Sequence, residues 1–74
     1  MNIVAENTKA IIDEKGLKHS AIAKKAGYSR QQFSYMLHGR KTITPSDVLR
    51  IANALEVTPN DLFGLKPKDD EKGE

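Results

Sequence analysis

Residues 29–39, Ser29-Arg30-Gln31-Gln32-Phe33-Ser34-Tyr35-Met36-Leu37-His38-Gly39, decide the fold. Ser29 is suited to cap a helix by accepting a hydrogen bond from a free backbone amide, and Gln32 is placed to return it, the reciprocal pattern of a capping box. Tyr28 before the cap and Phe33 at the fourth helical position have the spacing of a hydrophobic staple. Gly39 supplies the stop, because a left-handed residue is least costly at glycine. The stretch therefore predicts a helix over about 30–38. On a 3.6-residue wheel Phe33, Met36 and Leu37 fall on one side, Gln31, Ser34, Tyr35 and His38 on the other, with Arg30 and Gln32 flanking. The second face carries hydrogen-bonding and aromatic groups and no carboxylate, which suits donor and acceptor edges set among phosphates. Taken alone, the stretch fits an ordinary solvated helix face equally well.

Immediately upstream, His19 to Ala26 predicts a short helix with Ile22, Ala23 and Ala26 facing inward, and Gly27 follows it. A tight helix-Gly-helix join, with small Ala23 allowing close approach, lets two helices cross steeply; this is a helix-turn-helix. The upstream helix is poorly capped. Lys18 stands where Ser or Asp is expected, and a cation there opposes the positive helix terminus at a cost of about 0.3–1 kcal/mol. Either Ser20 caps instead and the helix begins at Ala21, or an anion completes the terminus, held by exposed amides with Lys18 and His19. Before it, residues 3–15 predict a first helix with Val4, Thr8, Ile11, Ile12 and Lys15 near one face, a weak cap at Asn2 and a stop at Gly16.

Downstream, Arg40, Lys41 and Thr42 form a short polar loop that offers donors to a sugar-phosphate backbone, or else a plain solvated turn. Thr44-Pro45-Ser46-Asp47 then starts a fourth helix, with Thr as cap, Pro at the first helical position, Asp returning the bond and Ile43 stapled to Val48. Val48, Ile51, Ala52 and Leu55 continue as a buried stripe, with Leu49 off it. Thr58-Pro59-Asn60-Asp61 repeats the device, with Val57 and Leu62 as staple, for a short fifth helix ending by Gly64. Three such starts at about 1 kcal/mol each form a large part of the margin of so small a domain. From Lys66 to Glu74 the chain carries no apolar side chain other than a prolyl ring, and a disordered charged tail is expected. The organisation is one all-α domain over 1–65 followed by that tail.

The charges are unevenly distributed. Between Lys15 and Ser46 there are seven cations and both histidines but no Asp or Glu, although the chain holds ten acids in 74 residues. At that frequency the window would hold about four. A positive field over half of a small domain points to a polyanionic partner; the alternative is chance clustering on a solvated surface. With no cysteine there is no disulfide framework and no thiolate metal site, which fits a reducing compartment. No apolar run approaches the roughly 20 residues of a membrane span, and the first residues lack a signal-peptide pattern, so a cytoplasmic protein is expected. His19 and His38 lie in different helices with no acid nearby in sequence, so neither catalysis, a metal nor a cofactor is indicated.

From Gly16 to Phe63 the chain resembles the lambda repressor and Cro type of helix-turn-helix regulators, also named after the xenobiotic response element. The resemblance rests on Gly16-Leu17, Ile22-Ala23, Ala26-Gly27, the Ser29 cap, Phe33, Met36, Gly39, the run Val48-Leu49-x-Ile51-Ala52-x-Ala54-Leu55, and the closing Val57-Thr58-Pro59-x-Asp61-Leu62-Phe63. It implies a compact five-helix bundle that docks its third helix in the DNA major groove, usually as a symmetric dimer, in proteins that are mostly repressors. Carried over by position, it implies base contacts from Arg30, Gln31, Ser34 and Tyr35. Backbone contacts would come from His19, His38, Arg40, Lys41 and Thr42, joined by Lys18 from the anion-site reading above. The chain departs from the family at His19, where Gln is usual, and at Ile12 and Leu37, which stand where a charged pair often links helices one and three. Good apolar packing commonly replaces such a pair. Tyr28 is larger and Ala26 smaller than usual, a compensation in volume, and Glu56 stands where Gly often ends helix four.

The resemblance thus implies a sequence-specific regulator of transcription, a repressor, acting on a double-stranded DNA operator without a small-molecule ligand. The exposed apolar candidates Leu49, Phe63 and Leu65 fit the seam of a homodimer, because a twofold DNA site calls for a twofold protein. The competing reading is a protein-interaction module, such as an antitoxin or anti-repressor, in which those same residues carry the function and the outer face of helix three is dispensable.

Overall fold

Among the described residues, four of the five helices begin at a side-chain cap, and the second is the exception. A computed structural model describes residues 2–65, in which α1 spans Ile3–Lys15, α2 His19–Ala26, α3 Arg30–Leu37, α4 Pro45–Leu55 and α5 Pro59–Phe63. The expected tail lies outside the described residues. Asn2 caps α1 more strongly than expected, its Oδ1 accepting from the Val4 amide at 2.9 Å and the Ala5 amide at 3.2 Å. The three capping boxes close reciprocally at Ser29 with Gln32, Thr44 with Asp47 and Thr58 with Asp61. In the staples, the Tyr28 and Phe33 rings stack 6.2 Å apart at 12°, while Ile43 and Val57 pack against the core.

The helices enclose one core. α1 packs on α3, α4 and α5, α2 on α3 and α4, and α4 on α5. Phe33, Met36 and Leu37 of α3 are buried together with Ile12 of α1, Ile51 and Leu55 of α4, and Leu62 of α5. Ile12 and Leu37 thus join the apolar core at the positions where a charged pair was the alternative. On α1 the inward face is Val4, Ala5, Thr8 and Ile12, with Ile11 half-buried; Lys15, expected near that face, is exposed. Its position in the last turn keeps its charge in water and near the negative helix end. The structure also starts α2 at His19, not Ala21. Ser20 lies inside the helix, and Lys18 occupies the cap position without a side-chain hydrogen bond.

α4 ends on a strained residue. Glu56 adopts φ 60° and ψ 44°, the left-handed conformation usually left to glycine. Its amide bonds the Ala52 and Asn53 carbonyls, and the Val57 amide reaches Ala52 O at 2.9 Å, which closes the helix end. The Glu56 carboxylate meets Lys25 Nζ at 3.4 Å on the surface, tying the ends of α2 and α4.

Candidate nucleic-acid interface

α3 presents two chemically distinct faces because Phe33, Met36 and Leu37 anchor it in the core. Arg30, Gln31, Ser34, Tyr35 and His38 are all exposed on the remaining surface, as the wheel requires. These side chains are partly ordered among themselves. Gln31 Nε2 donates to Tyr35 Oη at 2.9 Å, and the Arg40 guanidinium lies 5.9 Å from the centre of the Tyr35 ring. The bond uses one amide proton of Gln31. Its Oε1 and second N–H stay free, the pair of groups needed for a bidentate contact with adenine.

His38 stands one residue past the end of α3, which is one residue shorter than expected, and Gly39 follows with φ 75°. Its Nδ1 lies 2.8 Å from the Ser34 carbonyl oxygen. A carbonyl only accepts, so this contact favours the tautomer with the proton on Nδ1. Tyr35 O accepts both the Arg40 amide at 2.8 Å and the Lys41 amide at 3.2 Å, folding the basic loop back onto the end of α3. The sequence suggested a loop here but not its attachment to α3.

The candidate phosphate-contacting residues fall into two groups on either side of α3. Lys18 and His19 line a groove with Arg30, Gln31 and Ser34, between the uncapped start of α2 and the outer face of α3. His38, Arg40, Lys41 and Thr42 line a second groove against the first turns of α1, where Lys9 and Glu6 pair at 3.6 Å. Lys9, which the sequence reading did not single out, lines this groove too; Asp13 and Glu14 separate it from the acid-free window. The three apolar candidates separate. Leu49, 61% exposed, lines a groove with Val57 and Pro59 at the α4–α5 junction, whereas Phe63 and Leu65 are exposed at the far end of α5.

A two-helix join through Gly27, with a polar, carboxylate-free outer helix face and basic groups on both flanks, suits a duplex reader. Comparison with known families decides the matter, because the model of the Cro/C1-type HTH DNA-binding domain matches residues 9–68. The chain belongs to this family. No curated protein and no solved structure matches it. The Cro/C1-type domain matched here takes in all of α2 to α5 and the second half of α1. Among the described residues, this Cro/C1-type domain holds no helix long and apolar enough to cross a membrane and no group of three or more His, Cys, Asp or Glu suited to a metal ion.

The turn of the motif is fastened from α4. Tyr28 Oη donates to Asp47 Oδ1 at 2.5 Å, while Asp47 Oδ2 accepts from the Thr44 amide at 2.9 Å and from its hydroxyl at 3.0 Å. Burial, then the Asp47 hydrogen bond and charge, push the Tyr28 hydroxyl up to about 12, against an opposing effect of Arg50. Burial alone would raise the Asp47 carboxyl, but the bonds from Tyr28 and Thr44, helped by the Lys41 charge, outweigh it and hold the carboxyl below its ordinary range. Tyr28 therefore does more than fill the volume left by Ala26.

Proposed function

We propose that the chain is a sequence-specific regulator of transcription, a repressor, that binds a double-stranded operator with α3 in the major groove. The observation that carries this reading is the exposed face of α3, on which Arg30, Gln31, Ser34 and Tyr35 stand without a carboxylate between two groups of cationic side chains. Arg30 and Gln31 suit guanine and adenine edges respectively, and each well-formed bidentate contact gives about 1–3 kcal/mol of discrimination. Lys18, His19, His38, Arg40, Lys41 and Thr42 hold the sugar-phosphate backbone and set the register.

The protein acts as a homodimer on an inverted repeat. Leu49, Phe63 and Leu65 are more than two-fifths exposed, and burying such side chains against a second copy removes them from water. Their separation along α4 and α5 calls for a seam that runs over both helices.

Two substitutions test the DNA reading through different observables. Gln31→Ala is expected to relax base preference at particular operator positions with the thermal midpoint nearly unchanged, since Gln31 is exposed. Lys41→Ala is expected to weaken binding to all duplexes and to make the salt dependence shallower by about one unit of slope. A Gln31→Ala protein with the original base preference counts against base reading by α3, and an unchanged salt slope counts against a phosphate contact at Lys41.

A further inference from the structure

Arg50 is exposed on α4, yet it is fixed by three contacts that all converge on the turn between α2 and α3. Its Nε donates to Ala26 O at 3.0 Å and its Nη2 to Gly27 O at 3.2 Å, the carbonyls that end α2. The guanidinium carbon lies 4.4 Å from the centre of the Tyr28 ring, and the ring of Phe33, in α3 itself, stacks with the Tyr28 ring. Position 27 admits this arrangement because it is glycine. A Cβ there would stand 2.5 Å from Nη2, and its φ of 88° is one that side chains rarely adopt.

From this geometry we infer that Arg50 is a positioning residue for sequence reading, holding the turn and, through Tyr28 and Phe33, the orientation of α3 against α4. The inference rests on the DNA-reading proposal and extends it to a residue of α4 that is not part of the reading face. Arg suits the task for two physical reasons. Its planar fork donates to two carbonyls at once while its face lies on an aromatic ring, and its charge favours the negative end of α2. Lysine retains the charge but neither the fork nor the planar stack. An operator contact requires side chains held within about 0.5 Å and 10–20° of their productive geometry, so loosening this clamp costs discrimination before it costs nonspecific attraction.

The test compares wild type with Arg50→Lys and Arg50→Gln, well below their melting midpoints, on two probes: the duplex most enriched by wild type from a random pool, and a scrambled duplex of equal length. Both variants are expected to lose about tenfold on the enriched duplex, the equivalent of one weakened base contact, with the salt slope kept and scrambled-duplex binding within about twofold. Residual dipolar couplings of the free proteins are expected to show α3 reoriented relative to α4 in both variants. Unchanged α3 orientation overturns the inference, as does full recovery of specificity by Arg50→Lys, which would make Arg50 a simple charge. A parallel loss on both duplexes overturns it too. If the pool yields no enriched sequence, the DNA-reading proposal falls, and the couplings alone still decide whether Arg50 orients α3.

Discussion

Thr8 is fully buried in α1, and its hydroxyl has no hydrogen-bond partner among the described residues. A helical threonine can return its hydroxyl to the carbonyl three or four residues back, but here that bond is not made. An unpaired buried hydroxyl costs about 1–3 kcal/mol relative to water. Thr8→Val replaces it with a methyl group of similar volume, leaves no cavity, and changes helix propensity little. A gain of about 1 kcal/mol is expected, taken from the low end because the denatured state also buries part of this surface. For a domain of this length that raises the thermal midpoint by about 4–8 °C, readable by circular dichroism and checked by the urea midpoint at constant slope. Thr8→Ser, which keeps the hydroxyl and loses the methyl, is expected to move the midpoint down. Thr8 lies outside the α3 surface, so duplex affinity is expected to stay at the wild-type value. A Thr8→Val protein of equal or lower stability would refute the assignment, by showing that the hydroxyl is satisfied or the site too tight for a methyl group.

Two other outcomes concern the ends of α4. Glu56→Gly removes a left-handed strain of about 1–2 kcal/mol, against the chain entropy of glycine at about 0.5–1 kcal/mol and a weak exposed ion pair with Lys25. A net gain of about 0.5 kcal/mol in urea unfolding is expected, and a loss would mean that the Lys25 contact outweighs the strain. At the start of α4, the Asp47 carboxyl lies below its ordinary range when folded, so its contribution is complete above about pH 3.9 and is lost as the pH falls through the folded value. The Tyr28 hydroxyl is raised from 10.0 to about 12, so its contribution is complete below pH 10 and is lost as the pH rises towards 12. Tyr28→Phe keeps the ring and removes the bond to Asp47; a stability profile falling less steeply at both extremes is expected, and an unchanged profile contradicts the pairing.

Much of the fold was legible because the signals that set it are local. A capping box and its staple connect residues three to five apart, so Ser29-Gln32, Thr44-Asp47 and Thr58-Asp61 located three helix starts from sequence alone. Helical periodicity likewise separated Phe33, Met36 and Leu37 from the exposed side of α3. What was not legible depends on partners distant in the chain. Arg50 with Ala26 and Gly27, and Tyr28 with Asp47, are 19 to 24 residues apart and meet only after α4 packs on α2. At Lys18 the sequence left two helix starts open, and the structure takes the one at His19, with the terminus of α2 uncapped beside α3.

The uncapped start of α2 and the basic loop bound to Tyr35 O flank one helix face, and sequence-specific recognition of DNA by that face is tested most directly by selection. The purified protein is offered random duplexes at near-physiological salt, and the retained pool is sequenced. Enrichment of an inverted repeat with half-sites about 34 Å apart is expected for a dimer reading with α3. Retention without enrichment, with affinity that merely falls as salt rises, would contradict base reading and leave only nonspecific attraction to phosphate.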